Sequence, residues 1–137
     1  MTPDALAGLH AACFTSPRPW SSAEFADLLT MEGVFLLAES DGFLLARVVA
    51  DEAEILTLAV DPTRRRRGAA SRLLAAFGAE ARARGAATAF LEVAADNEAA
   101  LALYAGAGFL RRARRKGYYK VPGRQPVDAE ILSMALR

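Results

Sequence analysis

The chain has 137 residues, 53% of them apolar, with a formal net charge of +1, one cysteine and one histidine. That length suits one domain, residues 1–137, whose core needs no disulfide or metal, and Cys13 with His10 is too small a set for a thiolate-ligated zinc site. The apolar runs fall short of a membrane span, and the first ten residues lack the basic segment and apolar core of a signal peptide, so a cytoplasmic protein is expected.

Charge is unevenly spread. Residues 1–60 hold two basic and nine acidic side chains, and residues 61–137 hold fifteen basic and seven acidic. An anionic partner for the second half and an amine partner for the first are one reading; interleaving of the halves within one fold is the other.

Residues 4–14 are predicted to form a short helix with Leu6, Leu9, Ala12 and Cys13 on one side and Thr2 or Asp4 as its cap. His10 reads as an exposed or capping residue, with general base as the sharper alternative, and Cys13 as a small core residue rather than a nucleophile. Residues 15–20 read as a loop, broken by Pro17 and Pro19. Ser21 and Glu24 form a capping box, which starts a helix running to about Thr30 with Phe25, Leu28 and Leu29 inward. Trp20 either staples that helix or lines a substrate groove.

Strands follow at 34–40, 43–50 and 54–60, joined by turns at Asp41-Gly42 and Asp51-Glu52. A helix from Gly68 to about Arg84 leads to a strand at 87–93, parallel to the third strand because a helix crosses between them. A helix over 99–107, a charged strand over 109–120 and a last strand over 129–136 complete the chain. The order predicts an α/β (α+β) fold with a mixed, mostly antiparallel sheet and about four helices.

The stretch Val60 to Leu74 reads V-D-P-T-R-R-R-R-G-A-A-S-R-L-L. Pro62 offers no ladder N–H and stops the strand, and apolar residues at 70, 73, 74, 77 and 81 mark one helix face. Small residues at 68–70 let another molecule approach the backbone of a helix N-terminus, where N–H groups are unpaired and the dipole is positive. A phosphate or pyrophosphate is favoured there; a solvated basic face on an ordinary turn is the alternative. No Gly-Lys-Ser/Thr or G-x-G-x-x-G occurs, so this is neither a Walker loop nor a dinucleotide fingerprint.

Glu92 lies inside the apolar strand A-F-L-E-V and needs a partner or a role. Desolvation would raise its pKa and make it a base near neutral pH; alternatively Phe90, Glu92 and Ala94 face a solvated side. Asn97 and Tyr104 stand two helical turns apart, on one face, and Tyr104 can offer its hydroxyl to a cleft or simply pack in the core. Residues 111–119, R-R-A-R-R-K-G-Y-Y, make both faces of a strand basic, which fits a protruding hairpin or an edge strand.

V-x-P-x-x-R-x-x-G-x-A closed by Leu73-Leu74 resembles the acetyl-CoA signature of the GNAT N-acetyltransferases, with Arg65, Gly68 and Ala70 at its key positions. N-E-A-A-L-A-L-Y-A-G-A-G-F, residues 97–109, resembles that family's N-x-x-A-x-x-x-Y-x-x-x-G-F. Within the family the chain is similar to the RimI branch, protein N-terminal acetyltransferases that modify a ribosomal protein's terminal alanine. The shared stretches are Pro19-Trp20-Ser21, D-E-A at 51–53, A-V-D-P at 59–62, L-E-V at 91–93, A-L-Y at 102–104, Tyr118-Tyr119 and D-A-x-x-x-x-M-A-L at 128–136. The short N-terminus, Gly117 and Lys120, and the 121–127 loop depart from that branch.

The resemblance implies a GNAT fold whose parallel strand pair splays at the acetyl-CoA site. It implies Glu92 as general base and Tyr104 as general acid. It implies Leu58, Ala59, Val60, Arg65, Arg66, Arg67, Gly68, Ala69, Ala70, Ser71, Asn97 and Tyr104 as acetyl-CoA contacts, with a backbone N–H near Val60 polarising the thioester. The acceptor groove is expected near Trp20, Glu52, Tyr118 and Tyr119. Acetyl-CoA is the implied co-substrate, with direct transfer to a protein N-terminus and without a metal, a membrane or direct nucleic-acid binding; a monomer or weak dimer is expected. A small-molecule amine acetyltransferase and a basic ribosome- or nucleic-acid-binding module are the rival readings.

Overall fold

The computed structural model describes residues 1–14, 18–120 and 122–137. Thr15, Ser16 and Pro17 of the expected 15–20 loop, and Val121, lie outside the described residues. Helix α1 (Pro3–Cys13) starts where the Thr2 hydroxyl accepts the Ala5 N–H at 3.1 Å, with proline at the first helical position. Helix α2 (Ser22–Thr30) starts at the expected capping box: Ser21 Oγ accepts the Glu24 N–H at 3.2 Å, and Glu24 Oε1 accepts the Ser21 N–H at 3.1 Å.

Strands β1 (Val34–Glu39), β2 (Gly42–Val49) and β3 (Glu52–Val60) form an antiparallel meander. The turns fall one residue earlier than the sequence suggests. Glu39 faces Gly42 and Val49 faces Glu52, which leaves Ser40-Asp41 and Ala50-Asp51 as the loops. Gly42 is a strand residue because a Cβ there would meet the Ala59 carbonyl oxygen at 2.4 Å, and Ala50 takes the left-handed turn conformation at φ +53.

Between β2 and β3 the register slips: Leu45 faces Thr57 while Ala46 faces Ile55, so Leu56 is the extra residue of a bulge. Ahead of it Ala53 and Ile55, and beyond it Leu58, pack on one side of the sheet. Leu56, Thr57 and Ala59 turn to the other.

A short 3-10 turn (Pro62–Arg64) leads to α3 (Ala69–Ala83), then β4 (Thr88–Ala94), α4 (Glu98–Gly106), β5 (Leu110–Tyr119) and β6 (Val127–Ala135). The sheet has six strands in the order β1-β2-β3-β4-β6-β5, mixed and mostly antiparallel, as expected. On one face α3 buries Leu73, Leu74, Phe77 and Ala81 against Leu44, Ile55 and Leu91. On the other, α1 and α2 bury Leu6 and Phe25 against Phe43, Leu45 and Ala59. Each fully buried Phe or Leu contributes about 1.5–3 kcal/mol.

Two expectations about α1 need correction. Ala12 is exposed, and His10 is 3% exposed rather than a surface residue. The ring can occupy the core because both of its nitrogens find partners there.

Strands β3 and β4 form a parallel pair only over Glu52–Glu54 against Thr88–Phe90. Beyond that they part, and Ile55–Val60 presents an edge that β4 does not cover. At the far side of the sheet β6 lies between β4 and β5, which leaves β5 as an edge strand with residues 110–116 exposed. The acidic and basic halves of the sequence interleave, with Arg72 on Glu39 at 2.6 Å and Arg64 near Asp41 at 3.9 Å.

Candidate functional site

A cleft of about 730 Å³ opens where β3 and β4 part. Leu58, Ala59 and Val60 line it from β3, and Leu91, Glu92, Val93 and Ala94 from β4. One end is the basic turn, with Arg65, Arg66 and Ala70. The other holds Trp20, Glu54, Tyr118 and Tyr119, and Asn97 and Tyr104 lie along the side.

At the basic end the backbone is unusual. Arg66 and Gly68 both take positive φ, +66 and +81. Gly68 is the N-cap of α3 and provides no side-chain cap, unlike Thr2, Ser21 and Asn97 at the other α-helices among the described residues. The first backbone bond of α3 runs from Arg72 N–H to Gly68 O at 2.9 Å, so the N–H groups of Ala69, Ala70 and Ser71 point out of the helix start. Arg64 to Gly68 are exposed, and Ser71 is exposed on the first turn. Ala69 is buried, whereas Ala70 faces the cleft. Uncapped N–H groups, a positive dipole end and exposed guanidiniums together suit a diphosphate.

In the middle, Asn97 is the N-cap of α4: its Oδ1 accepts the Ala100 N–H at 3.1 Å. It stands ahead of the helix rather than on its face, yet both it and Tyr104 reach the cleft. Tyr104 is 7% exposed, with its ring edge-on to Phe109 at 5.7 Å. Burial raises its hydroxyl pKa, so the group holds its proton.

At the acidic end Glu92 lies on the α1/α2 side of β4, because Ala89, Leu91 and Val93 take the core positions. Its side chain keeps 24% exposure and meets Arg115 Nη2 at 3.3 Å. The carboxylate therefore has a partner and faces a cleft, not bulk solvent. Burial, followed by the Glu92 charge, pushes the Tyr119 hydroxyl up.

Sequence reasoning missed two residues here. Glu52, expected in the acceptor groove, is exposed at the start of β3; Glu54 is the β3 carboxylate that lines the cleft. Its signal was the one used for Glu92, a carboxylate inside an apolar run. His10 also lines the cleft, stacked on Trp20 at 5.0 Å and Phe14 at 4.4 Å. Trp20 thus does both things expected of it: it packs on Phe25 at 5.5 Å and lines the groove.

A family model described as the acetyltransferase (GNAT) family matches residues 4–109. The chain belongs to the GNAT acetyltransferase family. It is 35% identical to the [Ribosomal protein bS18]-alanine N-acetyltransferase of Escherichia coli, over 98% of this chain and 93% of that relative. It is 37% identical to the N-alpha-acetyltransferase RimI of Mycobacterium tuberculosis, over 85% of this chain and 78% of that one. The crystal structure of the ribosomal-protein-S18-alanine N-acetyltransferase from Escherichia coli superposes with a TM-score of 0.84 at 33% identity, covering 98% of this chain and 86% of that one.

The resemblance read at residues 60–74 and 97–109 is thereby borne out, as is the mixed sheet with one parallel pair. As a GNAT protein the chain is an acetyl-CoA-dependent N-acetyltransferase. The site fits that co-substrate on its own evidence. The uncapped α3 start suits the pyrophosphate, and the uncovered β3 edge suits an amide-bearing arm that needs backbone partners. Among the described residues no helix is long and apolar enough to cross a membrane.

Proposed function

We propose that this enzyme acetylates the N-terminal α-amine of a protein, with a terminal alanine of a ribosomal protein as the first candidate, and that residues 1–137 act as one unit. The observation that carries the reading is the continuity of the cleft. A single opening between β3 and β4 joins the Arg65–Ala70 end to the Glu92 end. The activity named for the Escherichia coli relative supports the choice of acceptor.

Acetyl-CoA, when bound, supplies an acetyl group already activated as a thioester. The chain does the rest. The N–H groups of Ala69, Ala70 and Ser71, with Arg65, Arg66 and Arg67, hold the phosphates. The free edge at Leu58–Val60 orients the arm and aims a backbone donor at the carbonyl oxygen. Asn97 borders the same arm. Trp20, Tyr118 and Tyr119 wall the acceptor side and exclude water. Glu92 accepts a proton from the acceptor's ammonium, directly or through one water. An α-ammonium, pKa about 8, gives up that proton more readily than lysine at about 10.4. Tyr104 holds a proton at its hydroxyl oxygen and supplies it to the departing thiolate.

The test is CoA thiol release with mass spectrometry of three acceptors: an Ala-terminated peptide, the same peptide blocked at its N-terminus and carrying a lysine, and a set of small amines. Acetylation confined to the free terminus is the expected result. Transfer to small amines alone would keep the chemistry and discard the protein acceptor.

A further inference from the structure

Glu54 has no place in the chemistry described so far, yet it shares the acidic end of the cleft with Glu92. It sits on β3 opposite Phe90 of β4, at the last paired position before the strands part. Glu92 is two residues further along β4 and so points to the same face. We propose that Glu54 is the second carboxylate of the amine-binding end, holding the acceptor's ammonium jointly with Glu92 and setting the enzyme's affinity for cationic acceptors. The proposal rests on the reading of Glu92 as the proton acceptor.

Four observations lead there. Glu92 is matched by Arg115 at 3.3 Å, whereas among the described residues Glu54 has no hydrogen bond or ion pair. Glu54 is half-buried, where an unmatched carboxylate is costly. Arg47 of β2 stands in register with it, but the Arg47 Nε is buried without a partner, so that guanidinium is not docked on Glu54 through this atom. Burial first, and the Glu92 charge second, raise the Glu54 carboxyl from its ordinary value, with Arg47 opposing.

The groups that face this point are Arg47 from β2, Glu52 two residues before it on β3, Glu92 from β4, Arg115, Tyr118 and Tyr119 from β5, and His10 from α1. His10 is uncharged near neutrality, and Arg115 is engaged by Glu92. An entering ammonium is therefore the missing counter-ion of Glu54, placed beside the Arg115-paired Glu92. In the transfer step the N–H bond of the ammonium breaks and an O–H bond forms on Glu92. Glu54 takes no proton and remains the anion that held the amine in place.

Glu54→Gln keeps the shape and removes the charge. The acceptor KM should rise about tenfold or more, the scale of losing one charge-assisted hydrogen bond. Acetyl-CoA affinity should stay unchanged, and kcat should change far less than in Glu92→Gln. In the wild type the acceptor KM should climb as pH falls and Glu54 takes up a proton; in Glu54→Gln that climb should shrink. Glu54→Asp should recover part of the affinity, which a purely structural role would not explain.

An unchanged acceptor KM and pH profile in Glu54→Gln, with Glu92→Gln inactive, would overturn this proposal and leave the base intact. Full activity of Glu92→Gln would instead remove the base. Should Glu54→Gln not fold, the wild-type protein labelled with 13C at its glutamate carboxyls answers the question. Saturating Ala-terminated peptide without acetyl-CoA should move the Glu54 titration midpoint to lower pH, and a midpoint that stays put would refute the shared ammonium site.

Discussion

His10 Nε2 and Thr57 Oγ1 are 3.1 Å apart, so a histidine of α1 is tied to the middle of β3 across 47 residues of chain. The Trp20 backbone N–H donates to His10 Nδ1 at 3.1 Å, which leaves that nitrogen bare and puts the ring hydrogen on Nε2, donating to Thr57. One imidazole thus fixes the acceptor wall to the strand that carries the free edge. Burial lowers its pKa from 6.5 to about 4, weakly opposed by Glu24. Above pH 6.5 the contribution to stability is fully present. Between 6.5 and about 4 the unfolded chain takes a proton that the folded one refuses, so stability falls as pH falls. Urea unfolding at pH 7.5, 6 and 5 should show a steeper loss for the wild type than for His10→Gln. Equal slopes would mean that the imidazole does not titrate with folding.

Glu92→Gln removes the proposed proton acceptor while keeping most of the contact with Arg115. Turnover should fall by about 10²–10⁴, the usual contribution of a general base. Calorimetric affinity for acetyl-CoA should be unchanged, because the phosphate end of the cleft is formed by other elements.

Tyr104→Phe separates packing from proton supply. The ring stays against Phe109, so thermal stability should move by less than about 1 kcal/mol. The rate should drop by about tenfold to a hundredfold if the hydroxyl supplies the departing thiolate with its proton. A loss of stability with full activity would make Tyr104 a core residue alone.

Gly68→Ala tests the anion end. At φ +81 an added Cβ costs about 1–2 kcal/mol, and it would stand 3.0 Å from Arg72 Nη1, which donates to the Arg67 carbonyl. Both the melting temperature and acetyl-CoA affinity should fall. Retained affinity at lowered stability would move the pyrophosphate away from the α3 start.

What the sequence disclosed was local. The Ser21–Glu24 box, the Gly68 helix start and the charged edge strand follow from neighbours within a few residues. The misreadings were long-range. His10 looks like a surface residue until Thr57 and the Trp20 backbone arrive from elsewhere. Glu54 and Glu52 are equivalent by alternation, and only the short β3–β4 pairing reveals which one reaches the cleft. The hairpin turns slipped by one position because Gly42 is needed for close approach to Ala59 rather than for a left-handed turn.

The bulge at Leu56 decides which layer each half of β3 serves. Through that one supernumerary residue, Glu54 before it and Thr57 and Ala59 after it are delivered to the same side of the sheet, although they differ in parity. Ile55 and Thr57 face adjacent residues of β2, so removing the Leu56 codon alone would close the ladder and leave every later residue on its own side. An extra residue after Thr57 would do the opposite. Unless a second bulge absorbed it, Leu58 and Ala59 would exchange layers, and the edge beside the basic turn would face the wrong one. The strand can give up its spare letter and keep its layers; it cannot take on another between Thr57 and Val60.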